Sequence, residues 1–106
     1  MNKIKTLNEY QNLLNQPGVH VIKVSASWCN PCKTLASRIN DLNDSIKNLF
    51  VEIDVDEAED QLLDILKVRN VPVLIFYNGT KEADRLVGAQ TKDAILSILE
   101  DTTNLN

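Results

Sequence analysis

Apolar positions along the chain switch between a spacing of three to four residues and a spacing near two, and each switch predicts a new element. Thr6 and Glu9 are spaced as a capping box, and Leu7, Tyr10, Leu13 and Leu14 recur at helical intervals until Pro17-Gly18 interrupts them. The first expected element is thus a helix, with Met1 to Tyr10 polar and helix-like. Val19, Val21, Ile22 and Val24 form a β-branched run relieved only by His20 and Lys23, the pattern of a central strand covered on both faces. That strand ends at Ser25-Ala26-Ser27-Trp28, directly before two cysteines.

From Pro31 to Ile46, Leu35, Ile39, Leu42 and Ile46 step by three and four, which predicts one long helix lying on a sheet. Leu49 to Val55 alternates as a second strand. Asp56 and Glu59 repeat the capping-box spacing ahead of a helix carrying Leu62, Leu63, Ile65 and Leu66. Val71 to Tyr77 is a third strand, Asn78-Gly79 reads as a type I′ hairpin turn, and Lys81 to Val87 returns antiparallel. Gly88 interrupts the return, and Thr91 caps a last helix with Ala94, Ile95, Ile98 and Leu99 inward; the polar tail Asp101 to Asn106 is expected to fray. Strands alternating with helices imply parallel pairing by right-handed crossovers, and the late hairpin adds an antiparallel edge. The expected class is α/β, a mixed central β-sheet flanked by helices on both faces.

A length of 106 residues with 43% hydrophobic and 25% charged side chains points to one domain spanning residues 1–106. Fifteen acidic residues against 11 basic ones give a net charge of −4, without the basic excess that binding to nucleic acid requires. No apolar run approaches the roughly 20 residues of a membrane span, and the polar start is unlike a secretion signal, so no membrane partner and a cytoplasmic location are expected.

Cys29 and Cys32 are three apart, where a bridge closes too small a loop to stabilise much. A strand running into a helix at that point places Cys29 at the helix amino end, where unpaired backbone N–H groups and the dipole favour thiolate over thiol. A free cysteine titrates near pH ~8.5, and such a site lowers that value. Cys29 is therefore the expected nucleophile on a disulfide. Cys32, one turn on, would attack the mixed disulfide as the resolving thiol. Two cysteines merely packed as small apolar residues are the bland alternative, against which Pro31 stands, since it stiffens the first helical turn. A metal site would need four ligands, and beyond the pair only His20 remains, which is expected as an ordinary sheet residue. No metal and no other cofactor is expected. Trp28 either offers a docking face or covers the edge of the core.

Trp28-Cys29-Asn30-Pro31-Cys32-Lys33 after a β-branched strand, with Val71-Pro72 and Val87-Gly88-Ala89 later in the chain, resembles the thioredoxin family over residues 4 to 100. Thioredoxin is itself the standard instance of low-pKa Cys-x-x-Cys chemistry, so motif and resemblance are not independent indications. The resemblance implies the thioredoxin fold and a cis Val71–Pro72 bond that brings Pro72 against the sulfurs. It further implies main-chain hydrogen bonds from Val71 to substrate, in a groove shaped by Trp28, Asn30, Pro31, Gly88 and Ala89. Gly88 is expected to lack a Cβ so that backbones can approach closely.

The chain departs from the family pattern at Lys23, six residues before Cys29, where thioredoxins commonly carry a buried aspartate. Glu52 stands on the neighbouring strand where a lysine is common, so a Lys23–Glu52 ion pair is expected as a candidate proton-relay pair, with Lys23 either a cation or a neutral base. Asn30, Ser25 and Ser37 also replace family residues. The implied activity is that of a protein-disulfide reductase, a monomer acting on disulfide-containing proteins and recharged by a thioredoxin-reductase-like donor. The alternatives are a redox-silent adaptor on the same fold, or a dithiol dedicated to one oxidoreductase partner or to low-molecular-weight thiols.

Overall fold

The structure is a computed structural model and describes residues 1–105. Its elements run β1 (Asn2–Lys3), α1 (Leu7–Asn15), β2 (Val19–Ser25), α2 (Asn30–Asn40), α3 (Asp44–Lys47), β3 (Phe50–Asp54), α4 (Asp60–Leu66), β4 (Val73–Asn78), β5 (Lys81–Val87) and α5 (Lys92–Thr103). The strands form one mixed sheet in the order β1-β3-β2-β4-β5. The central run of β2 is buried on both faces because successive side chains alternate. Ile22 and Val24 pack with Leu14, Leu62 and Leu66 of α1 and α4, whereas Val21 packs with Leu35, Ile39, Ile95 and Leu99 of α2 and α5.

Thr6 forms the expected capping box on α1, its hydroxyl accepting the Glu9 N–H while the Glu9 carboxylate accepts the N–H of Thr6. The chain before it is not helical, because Asn2 and Lys3 pair in parallel with Val51 and Glu52 at the sheet edge. The long helix expected over Pro31 to Ile46 is two. α2 closes at Asp41, and Asn43 caps α3 by accepting the Ile46 N–H. The apolar stripe runs through the break unchanged, with Leu42 still buried, so its periodicity could not reveal the interruption.

No capping box forms at Asp56 and Glu59: α4 starts at Asp60 without a side-chain cap, and Glu59 instead accepts the Leu7 N–H at 2.7 Å, capping α1 from across the fold. The third long strand, β4, pairs antiparallel to β2, where the α/β alternation suggested parallel. A seven-residue helix rises only about 10 Å, too short to carry the chain back along β3, so β4 begins at the end of the sheet where β3 stopped. The hairpin turn is shifted by one residue. Asn78 pairs with Lys81, which leaves Gly79 and Thr80 as the two-residue loop, with Gly79 at φ +62° in the first central position as type II′ requires. Asn78 turns its amide to the Thr102 carbonyl instead. That contact falls on the stretch expected to fray, which is helical through Thr103 with Thr102 buried; Asn106 lies outside the described residues.

Candidate active site

β2 delivers the chain to Cys29, which is extended and acts as the N-cap of α2. Its sulfur accepts the Cys32 N–H at 3.2 Å, one of the helix's otherwise unpaired amino-end donors. Pro31, in the first turn, has no N–H to lose there. Cys29 and Cys32 are joined as a disulfide with Cα atoms 5.2 Å apart, and are 5% and 3% exposed. Ala26, Val55 and Val71 pack around them. The Val71–Pro72 bond is cis, Pro72 is buried, and the Val71 carbonyl oxygen lies 3.8 Å from the Cys29 sulfur.

Trp28 is 67% exposed, so it does not cover the edge of the core; its indole N–H donates to Asp56 at 2.9 Å, which fixes the ring beside Cys29. A groove runs from Trp28 along Val55, Leu63, Val68 and Val71, rimmed by Arg69 and Asn70. Asn30 and Pro31 are exposed at the head of α2. On the other side of the sulfurs the Gly88 N–H donates to the Pro72 carbonyl at 2.9 Å, and Ala89 follows, half-buried. Within the protein itself a Cβ at position 88 would meet nothing within 4 Å. The φ of +88° there is a conformation that side chains disfavour.

Lys23 and Glu52 are register partners on β2 and β3, and alternation turns both toward the face beneath α2. Lys23, 4% exposed, donates to Glu52 Oε1 at 3.0 Å. Ser25, two residues on and therefore on the same face, donates to the same oxygen at 2.8 Å. Burial pushes the Glu52 carboxyl up, but hydrogen bonds from Lys23 and Ser25 and the positive charge of Lys23 outweigh it and hold the group below the usual carboxylate range. These three side chains and Cys32 line one cleft, together with Lys3, Lys33 and Asp54. His20 is a sheet residue near the start of β2, with Nε2 3.3 Å from the Gln16 carbonyl.

Three further residues belong to the site and are not among the candidates named from the sequence. Ser25 is marked there only by its period-two relation to Lys23, which turns it the same way. Asp56 enters by accepting the Trp28 indole N–H. Arg38, on α2, donates to the carbonyl oxygens of Ala89 and Gln90, and since backbone oxygens carry no residue identity, no pattern of residue types could disclose them.

A family model described as thioredoxin matches residues 2–101. Over 100 residues the chain is 36% identical to Thioredoxin-2 of Saccharomyces cerevisiae, covering 90% of this chain and 95% of the yeast protein. A thioredoxin of Mycoplasmoides gallisepticum is 30% identical over 101 residues, with 94% and 100% covered. The crystal structure of mitochondrial thioredoxin 3 from Saccharomyces cerevisiae, in its oxidized form, superposes with a TM-score of 0.85 at 26% identity, covering 95% and 94% of the two chains.

Proposed function

The chain belongs to the thioredoxin family and is a thiol–disulfide oxidoreductase, and from that premise we propose that it reduces protein disulfides with Cys29 as nucleophile and Cys32 as resolving thiol. The observation that carries this is the Cys29 sulfur at the head of α2, accepting the Cys32 N–H with Cys32 at disulfide distance. A helix amino end favours the anionic sulfur, and the thiolate is the attacking form. The Cys29 thiolate breaks the substrate disulfide, forming one sulfur–sulfur bond and expelling one substrate thiolate. The Cys32 thiolate then attacks the Cys29 sulfur and expels the second substrate thiolate, leaving the Cys29–Cys32 disulfide. Two electrons and two protons from a separate thioredoxin-reductase-like donor restore the dithiol.

Docking uses Trp28, Asn30 and Pro31 on one side of the sulfurs and Gly88 and Ala89 on the other, with the Val71 backbone pairing to the extended substrate chain beside Pro72. Beneath them, Lys23 and Glu52 serve the second step. An ammonium has no lone pair with which to accept a proton. Lys23, as the cation of that pair, favours the Cys32 thiolate by charge, and the proton passes by way of Glu52 Oε2 or water in the cleft to the departing substrate thiolate. We place the protein in the cytoplasm as a monomer, where the glutathione pool keeps such dithiols reduced. Among the described residues no helix is long and apolar enough to cross a membrane.

The test is reduction of insulin with dithiothreitol as donor. Cys29→Ser is expected to abolish catalysis, while Cys32→Ser keeps the nucleophile and accumulates a mixed disulfide. A Cys29→Ser protein that retains the wild-type rate overturns the assignment. For the relay, Lys23→Met and Glu52→Gln are expected to change the pH profile of mixed-disulfide resolution without changing that of Cys29 alkylation; an unchanged resolution profile removes the pair from the mechanism.

A further inference from the structure

Arg38 projects from the side of α2, two and a half turns beyond Cys29, and among the described residues its guanidinium meets no carboxylate. Nη1 donates to the carbonyl oxygens of both Ala89 and Gln90, the latter at 3.1 Å. Side chains on a helix lean toward its amino end, which here is the end that carries the sulfurs. The held segment is irregular backbone between β5 and α5, and glycine with φ +88° gives it little stiffness of its own. It is also tied by the Gly88 N–H to the Pro72 carbonyl, the Gln90 N–H to the Gly88 carbonyl and the Gln90 side chain to the Val87 carbonyl, and Ala89 packs at the margin of the core. Of these only the Gly88–Pro72 bond reaches the neighbourhood of the sulfurs, and none reaches α2 by a hydrogen bond. A closed circuit results, from Cys29 along α2 to Arg38, across to Ala89, through Gly88 to Pro72, and from Val71 back to the Cys29 sulfur.

We propose that Arg38 is a positioning residue for polypeptide substrates, holding the Gly88–Gln90 wall at a fixed distance from the Cys29 sulfur. The proposal rests on the disulfide-reductase reading given above and adds how the groove is kept in shape. Nη1 carries two N–H groups, one for each carbonyl, held in the guanidinium plane; a lysine ammonium can also donate twice, but from a shorter side chain and without that fixed plane. A small disulfide reaches the sulfur without using the wall, so its reaction does not depend on Arg38.

The experiment compares Arg38→Met and Arg38→Lys with the wild type in two reactions. One is insulin reduction, with kcat and KM resolved; the other is the second-order reaction of the dithiol protein with hydroxyethyl disulfide. Loss of a charge-assisted contact that orders the groove is expected to lower kcat/KM on insulin about tenfold for Arg38→Met, mainly through KM, and less for Arg38→Lys. The rate with hydroxyethyl disulfide is expected to stay within about twofold, since the chemistry at Cys29 is untouched. Equal losses in both reactions, or no loss with insulin, overturn the proposal. If Arg38→Met does not fold, Arg38→Lys decides by the same comparison. A wild-type protein inert toward both disulfides would instead overturn the parent reading, which keeps the two failures distinct.

Discussion

Lys23 was conspicuous in the sequence as a lone charge in a run otherwise fit for a doubly covered strand, and desolvation demanded a partner for it. The structure supplies Glu52 at 3.0 Å, and adds Ser25 on the same carboxylate oxygen. The consequence for stability has a definite sign. A carboxyl held below its ordinary value binds fewer protons folded than unfolded, so folding gains from it above the unfolded pKa of about 4.3 and loses that gain as pH falls through the depressed folded value. Glu52→Gln is expected to flatten the acid limb of the stability–pH curve below about pH 5. At neutral pH the same change leaves Lys23 buried without its counter-charge. A loss of about 1–3 kcal/mol is expected, below the penalty for a fully buried pair because Glu52 keeps some contact with water. Urea unfolding of both proteins across that pH range checks both effects; parallel curves would contradict the ion pair.

At the scale of elements, sequence signals worked where a short local motif decided the outcome and failed where a distant segment did. Thr6 with Glu9 and Thr91 with Ala94 capped their helices as read, because each bond closes within one turn. The same spacing at Asp56 and Glu59 did not, since the Glu59 carboxylate is taken by the Leu7 N–H on another helix. The end of α4 carried no glycine to announce it, and Lys67 occupies the left-handed region there at φ 55°. A side chain in that conformation costs about 1 kcal/mol that glycine avoids, offset in part by glycine's greater freedom when unfolded. Lys67→Gly is therefore expected to raise stability by about 0.5–1 kcal/mol, read as a higher urea midpoint at unchanged slope. A lower midpoint would mean that the lysine makes a contact worth more than the strain.

At the scale of the whole molecule, two apolar clusters share one sheet, and the residues of β4 serve both: Ile75 faces α1 and α4, while Leu74 and Phe76 face α2 and α5. Phe76 is fully buried and belongs to the cluster that seats α2, the helix with both sulfurs on its first turn. Phe76→Ala is expected to cost about 3–5 kcal/mol in calorimetry or urea unfolding. A cost near 1 kcal/mol would show that the cluster collapses around the void. The sequence by itself determined the existence and order of the long elements, the cysteine pair at a helix amino end, and the need for a partner to Lys23. Each of these follows from local periodicity or from the energy of one residue in a known environment. Only the tertiary structure decided that β4 runs antiparallel to β2, that Glu59 caps a helix distant in sequence, and that Arg38 ties α2 to the wall beside the sulfurs. Those depend on which backbone groups from remote segments lie within about 3 Å of one another, a distance that hydrophobic patterning along the chain does not encode.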